Sequence, residues 1–193
     1  MQAQTSSTEN PVRVGETRTA AKTPEAGRIA TVIGADSATI QTLFAVLTAE
    51  WRTSGVKVVG VIGEALGLPD RTCSAGVLRD IVSGEPYSIY LETVPAHTSC
   101  HIDAAGVETA CAAIVGQIST SDFVVLSKFG KLEAMRGGLT AAFETAIAAG
   151  KPVLTMVSDK HRDAWRAFAP EAIYLAADEA AIRAWWRLCA RTK

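Results

Sequence analysis

Ile29-Ala30-Thr31-Val32-Ile33, closed by Gly34, and Val56-Lys57-Val58-Val59-Gly60-Val61-Ile62 bracket the segment whose reading decides the fold. Both are compact apolar runs rich in β-branched residues, the composition of strands. Between them, Ser37 to Thr53 spaces Ile40, Leu43, Phe44, Leu47 and Trp51 so that they fall on one face of a helix. Strand, helix and strand in so short a stretch make a βαβ unit with parallel strands and a right-handed crossover.

Working outward, the rhythm breaks and then resumes. Val77–Val82 and Tyr87–Leu91 flank Ser83-Gly84-Glu85-Pro86, the pattern of a β-hairpin. A loop through Pro95, His97, Cys100 and His101 leads to Asp103, a cap for a helix over Ala104–Ser119 with Val107, Cys111, Ile114, Val115 and Ile118 on its apolar side. Phe123-Val124-Val125-Leu126 is continuously apolar, as in a strand buried on both faces. Leu139–Ala149 is a helix stopped by Gly150, and Pro152–Val157 is another buried strand. A helix capped at Ser158 or Asp159 reaches Phe168, Ile173–Leu175 is a short last strand, and Asp178 opens a terminal helix to about Arg191. The fold expected is α/β, a three-layer, mostly parallel sheet with an inserted hairpin. Residues 28–193 form its single domain, and residues 1–27, polar and aperiodic, read as a disordered tail.

Composition narrows the function classes. With 48% hydrophobic and 20% charged residues over 193 positions, the chain is that of a globular protein. Nineteen basic and 20 acidic side chains give a net charge of -1, which removes the electrostatic case for nucleic acid or an anionic membrane surface as partner. No apolar run reaches the ~18–20 residues of a membrane span. No apolar stretch behind basic residues marks a secretory leader, so the expected compartment is the cytoplasm. Cys73, Cys100, Cys111 and Cys189 are widely spaced with no Cys-x-x-Cys pair, and reduced thiols are expected.

In open parallel sheets ligands bind beyond the carboxyl ends of the strands. Three loops qualify: Gly34-Ala35-Asp36-Ser37, Ser127–Arg136, and Ser158–His161. A phosphate cradle needs Gly-x-x-x-x-Gly-Lys-Ser/Thr, because glycines let backbone N–H groups converge and the lysine reaches the phosphates. The first loop has one glycine, no lysine and an acid, so it is either an anion site at a helix N-terminus or a turn capped by Asp36. In the second, Lys128, Lys131 and Arg136 make a cationic surface for a small anionic ligand with Glu133 as counter-ion, or a solvated loop with a salt bridge.

Val124-Val125-Leu126-Ser127-Lys128-Phe129-Gly130-Lys131-Leu132-Glu133, with Gly137-Gly138-Leu139, Ala149–Thr155 and Ala164–Ala169, resembles a bacterial family known as domain of unknown function 2478. The likeness runs from about Arg28 to Trp186. More distantly the family resembles small P-loop nucleoside triphosphatases of the THEP type, whose corresponding strand ends in Asp-Glu-x-Gly-Lys-x-Glu. The resemblance implies a P-loop-like domain with a nucleotide or oxyanion ligand near Gly34, Ala35, Asp36, Ser37, Ser127, Lys128, Gly130, Lys131 and Glu133. It also implies an association with molybdate uptake. Gly130, Lys131 and Glu133 match the enzyme pattern, whereas Ser127 and Lys128 stand where the two acids would be, and Ile40, Gln41 and Thr42 stand about where Gly-Lys-Thr would be. A chain without that lysine and acid lacks both the phosphate clamp and the Mg²⁺ site, so hydrolysis of Mg·ATP is not expected.

Cys73 with His97, Cys100 and His101 offers thiolates and imidazoles of the type that suit zinc or copper, or else buried cysteines beside exposed histidines. Ser127 beside Lys128 or Lys131 has no Gly-x-Ser-x-Gly elbow and no His–Asp partner, which argues against hydrolase chemistry. His161 falls in the first turn of its helix. Trp185-Trp186, ~100° apart on a helix, are expected to leave one ring exposed as a contact for a partner or, in a homo-oligomer, for a second copy. Three functions remain: a non-hydrolysing nucleotide or anion binder, a metal or oxyanion handling protein, and a non-catalytic partner-binding protein.

Overall fold

The computed structural model describes residues 27–66, 76–93 and 101–191; the expected tail up to residue 26, together with Cys73, His97 and Cys100, lies outside the described residues. The strands are β1 Ile29–Ile33, β2 Val58–Glu64, β3 Val77–Asp80, β4 Pro86–Ser88, β5 Phe123–Phe129, β6 Val153–Val157 and β7 Ile173–Ala176. The helices are α1 Ser37–Thr53, α2 Ala104–Ile118, α3 Lys131–Ala134, α4 Thr140–Ala148, α5 Arg162–Phe168 and α6 Glu179–Arg191. All seven strands form one sheet in the order β4-β3-β2-β5-β6-β1-β7. The pairs β2/β5, β5/β6, β6/β1 and β1/β7 are parallel, and β3 and β4 add antiparallel as the inserted hairpin.

The strand order decides where the helices lie. From β1 the chain steps past β6 and β5 to β2, and thereafter it steps back through β5 and β6 to β7. Right-handed crossovers put helices on opposite faces when the direction of travel reverses. Two cores result. On one face Ile40, Phe44 and Leu47 of α1, with Ile182 and Trp185 of α6, cover Ala30, Val32, Val125 and Leu154. On the other, Val107, Ile114 and Ile118 of α2, Phe143 of α4 and Trp165 of α5 cover Val59, Val61, Val124, Leu126 and Val153. Both faces of the central strands are thus covered by apolar side chains, which is why Phe123–Leu126 of β5 reads as an unbroken apolar run and β6 is apolar apart from Thr155. The architecture is three-layer, P-loop-like α/β.

Two departures have clear causes. β5 continues to Phe129, beyond the apolar run, because it carries an extra residue: Leu126 lies opposite Thr155 and Phe129 opposite Val157, so three steps on β5 match two on β6. Trp185 and Trp186 are both buried, at 4% and 8% exposure, which corrects the expected exposed tryptophan. The rings are large enough to converge across the angle between them: Trp185 lies 5.7 Å and Trp186 4.8 Å from Phe123, and Trp186 also meets Trp51 at 5.9 Å. Trp185 donates its indole N–H to the Gly27 carbonyl.

Candidate functional site

α1 leaves β1 toward one face, while the 3-10 turn Asp159–His161 and α5 leave β6 toward the other. The reversal therefore falls between β1 and β6, and the carboxyl edge there is where an open sheet leaves room for a ligand. β6 stands between β1 and β5, so the tips of those two strands are separated by two strand spacings, about 10 Å. Gln41 of α1 ties the edge together. Its Oε1 accepts the Gly63 N–H at 2.8 Å, its Nε2 donates to the Ser127 carbonyl at 2.9 Å, and the Met156 sulfur lies 3.3 Å from that nitrogen. Ser127 Oγ donates to Gln41 Oε1 at 3.4 Å, and the serine is 3% exposed.

The first loop has only Gly34-Ala35-Asp36 between β1 and α1. Asp36 caps the helix: Oδ1 accepts the Thr39 N–H and Oδ2 the Thr39 hydroxyl, both at 2.9 Å. Those bonds, the backbone one foremost, hold its carboxyl below the usual carboxylate range. A carboxylate therefore already occupies the positive end of α1. Ser37 Oγ lies 3.8 Å from the Met156 sulfur. Of the residues standing near a P-loop lysine, Ile40 is core, Gln41 is engaged as described, and Thr42 donates its hydroxyl to the Ala38 carbonyl at 3.0 Å.

The second loop is folded around Glu133. This side chain is 5% exposed; Oε2 accepts the Gly130 N–H and Oε1 the Leu139 N–H, each at 2.9 Å. The carboxylate pins both ends of the loop, which corrects its expected role as counter-ion to the neighbouring cations. Arg136 turns away, pairing with Glu144 at 3.3 Å with its guanidinium 5.3 Å from the centre of the Phe168 ring. Its backbone sits at φ +64°, which residues other than glycine rarely adopt. Lys128 and Lys131 remain, and neither side chain has a hydrogen-bond or ion-pair partner among the described residues. Both line a cavity of about 60 Å³ between this loop and the hairpin. Its other walls include Leu78, Ile89, Ile102, Val107, Leu132 and Leu139.

Of the four residues considered for a metal, only His101 is described; its Nδ1 lies 3.0 Å from the Leu91 carbonyl and its ring stacks on Tyr90 at 5.4 Å. Among the described residues no group of three or more His, Cys, Asp and Glu side chains is placed to hold an ion. Cys111 is buried, and burial pushes its thiol up, so it is held protonated. His161 is the last residue of the 3-10 turn and the N-cap position of α5, where it makes no side-chain cap. Sequence reasoning missed the bridging role of Gln41, the bulge at Ser127-Lys128 and the cavity walls. The one usable signal was Phe129, an aromatic residue in strand context immediately after two polar residues.

With the geometry in hand, comparison with known proteins places the chain. The profile of a family described as "Protein of unknown function (DUF2478)" matches residues 29–185. The chain belongs to this family. Over 164 residues it is also 31% identical to the "Molybdenum import ATP-binding protein ModC 2" of Bradyrhizobium diazoefficiens. That match takes in 83% of this chain and 18% of the relative, so this DUF2478 protein spans less than a fifth of that protein's length. No solved structure matches the chain. No helix among the described residues is long and apolar enough to cross a membrane.

Proposed function

We propose that this DUF2478 protein binds a small anionic ligand, a nucleotide phosphate or a free oxyanion, at the carboxyl edge of its sheet and does not hydrolyse Mg·ATP. One observation carries this reading: Lys128 and Lys131 stand without partners on the rim of one cavity, at the end of β5, with their former counter-ion candidate Glu133 committed to two amides. Cations left unpaired beside a concave surface favour an anion there. Phosphoryl transfer needs a metal-holding acid and a phosphate-clamping lysine, and the corresponding places hold Ser127, Lys128 and the buried Ile40 and Gln41. The test is calorimetric titration with ATP, GTP, phosphate and molybdate, each with and without Mg²⁺. At least one anion binds, and Lys128→Ala or Lys131→Ala weakens it about tenfold, the worth of one charge-assisted hydrogen bond. Silence across all four ligands removes the reading, as does brisk magnesium-dependent release of phosphate from ATP.

The name of the relative favours a second reading, in which the bound species is a molybdenum oxyanion or a metal held with Cys73, His97, Cys100 and His101. Elemental analysis of protein purified without chelators tests it. Stoichiometric metal that falls on Cys73→Ser or Cys100→Ser substitution is the expected result, and metal-free protein discards it.

A further inference from the structure

We infer that the ligand of this edge is an organic anion whose charge meets Lys128 and Lys131 and whose short apolar body, a few heavy atoms, fills the cavity beneath the hairpin. This rests on the anion site of that reading and replaces its ligand, a nucleotide phosphate or free oxyanion, by an organic carboxylate. The cavity measures about 60 Å³, and the space one water needs is ~10–15 Å³, so a body of a few heavy atoms has room there. Leu78 of β3, Ile89 and Ile102 from the segments that follow the hairpin, Val107 of α2, and Leu132 and Leu139 of the Glu133 loop supply its apolar walls. Waters need two to four polar partners each, and such walls offer few. The polar groups that do reach the lining are already engaged: Ser127 with Gln41, Glu133 with Gly130 and Leu139. The two lysines are the exception.

An apolar chamber with cations at its rim selects for a molecule with the opposite polarity pattern. A bare oxyanion would use the lysines and leave the chamber empty. A nucleotide would offer phosphates to the rim but a base and sugar far too large for 60 Å³. A short branched carboxylate uses both. The inserted hairpin gains a purpose on this account, because it supplies the wall opposite the loop.

The experiment titrates the full chain with acetate, butyrate, isovalerate and octanoate, with isobutanol as the neutral shape match and inorganic phosphate and molybdate as anions without a body. Each carbon that enters the chamber strengthens binding about fourfold. Affinity should therefore climb from acetate to isovalerate and stop climbing by octanoate. Leu139→Phe, which takes up chamber volume, should erase that dependence while acetate binding stays; where that variant fails to fold, Val107→Leu serves the same purpose. Equal affinity for acetate, isovalerate and phosphate overturns the inference and leaves the anion reading standing. Isobutanol binding as well as isovalerate overturns it too, since the charge is then not read. No binding by any anion, organic or inorganic, removes both readings together.

Discussion

Glu133 shows how one side chain can set a local conformation. Its two carboxylate oxygens each take a backbone N–H from opposite ends of a ten-residue loop, Gly130 and Leu139, and all of this is buried. Glu133→Ala leaves two buried donors without acceptors, and we expect a loss of roughly 3 kcal/mol in urea unfolding. Glu133→Gln keeps one acceptor oxygen and turns an N–H₂ toward the other amide, so it should recover less than half of that loss. A cost under ~1 kcal/mol for alanine would mean that the loop is held by something else. Gly138 is part of the same device: at φ +59° a Cβ would lie 2.4 Å from Glu133 Oε1, so Gly138→Ala should destabilise by about 2 kcal/mol. Asp36 is depressed by Thr39, Glu50 by Arg183 and Glu64 by Arg79. At low pH the unfolded chain binds more protons at these positions than the folded one. Their stabilisation is therefore complete above the unfolded carboxyl range of ~4 and is lost as pH falls through the lower folded values. Acid unfolding monitored by circular dichroism should show a shallower loss in Asp36→Asn than in the wild type, and identical slopes would contradict the cap.

At the scale of elements, the β2–β5 pairing has a fixed point. Gly60 has φ +126°, and a Cβ there would fall 1.8 Å from the Val125 carbonyl oxygen, inside its own sheet neighbour. No rotamer relieves a clash with backbone, so Gly60→Ala should cost on the order of 3 kcal/mol or abolish soluble expression. A well-folded Gly60→Ala within ~1 kcal/mol of wild type would refute the register Gly60↔Val125. Elements of this kind were legible where period and composition agreed. β1, α1, β2, the hairpin, α2 and β6 follow from apolar spacing, since burial on one or two faces leaves a direct imprint on residue choice. β5 was cut short because a bulge breaks alternation at Ser127-Lys128, and single-strand periodicity carries no sign of an extra residue. Glu133 was read as a counter-ion because nearby lysines are visible in sequence while amide donors are not: every residue but proline has one. The buried tryptophan pair was hidden for a related reason, since helical angle says where a ring starts and tertiary packing says where it ends.

At the scale of the whole molecule, the P-loop-like sheet keeps its carboxyl edge at the reversal of strand order. On the proposed reading, that edge receives an anion without a metal. Asp36 caps α1, Gln41 bonds to β2 and β5 and lies against Met156 of β6, and Lys128 brings positive charge, which disfavours a divalent cation. The two cations matter for affinity and for its dependence on conditions. In an enzyme that holds Mg²⁺ with its own acid, magnesium raises nucleotide affinity, because the metal bridges protein and phosphate. On the proposed reading, magnesium screens the anion from Lys128 and Lys131 or draws it away in solution. We therefore expect any ATP-dependent rise in melting temperature to shrink when Mg²⁺ is added, and any rise caused by a simple anion to fade between 0.05 and 0.5 M salt, about a threefold contraction of the Debye length. Differential scanning fluorimetry over that matrix of conditions reads both effects. A larger shift with Mg·ATP than with ATP alone would mean that the edge still assembles a metal site, and the case for a non-hydrolysing anion receptor would be lost.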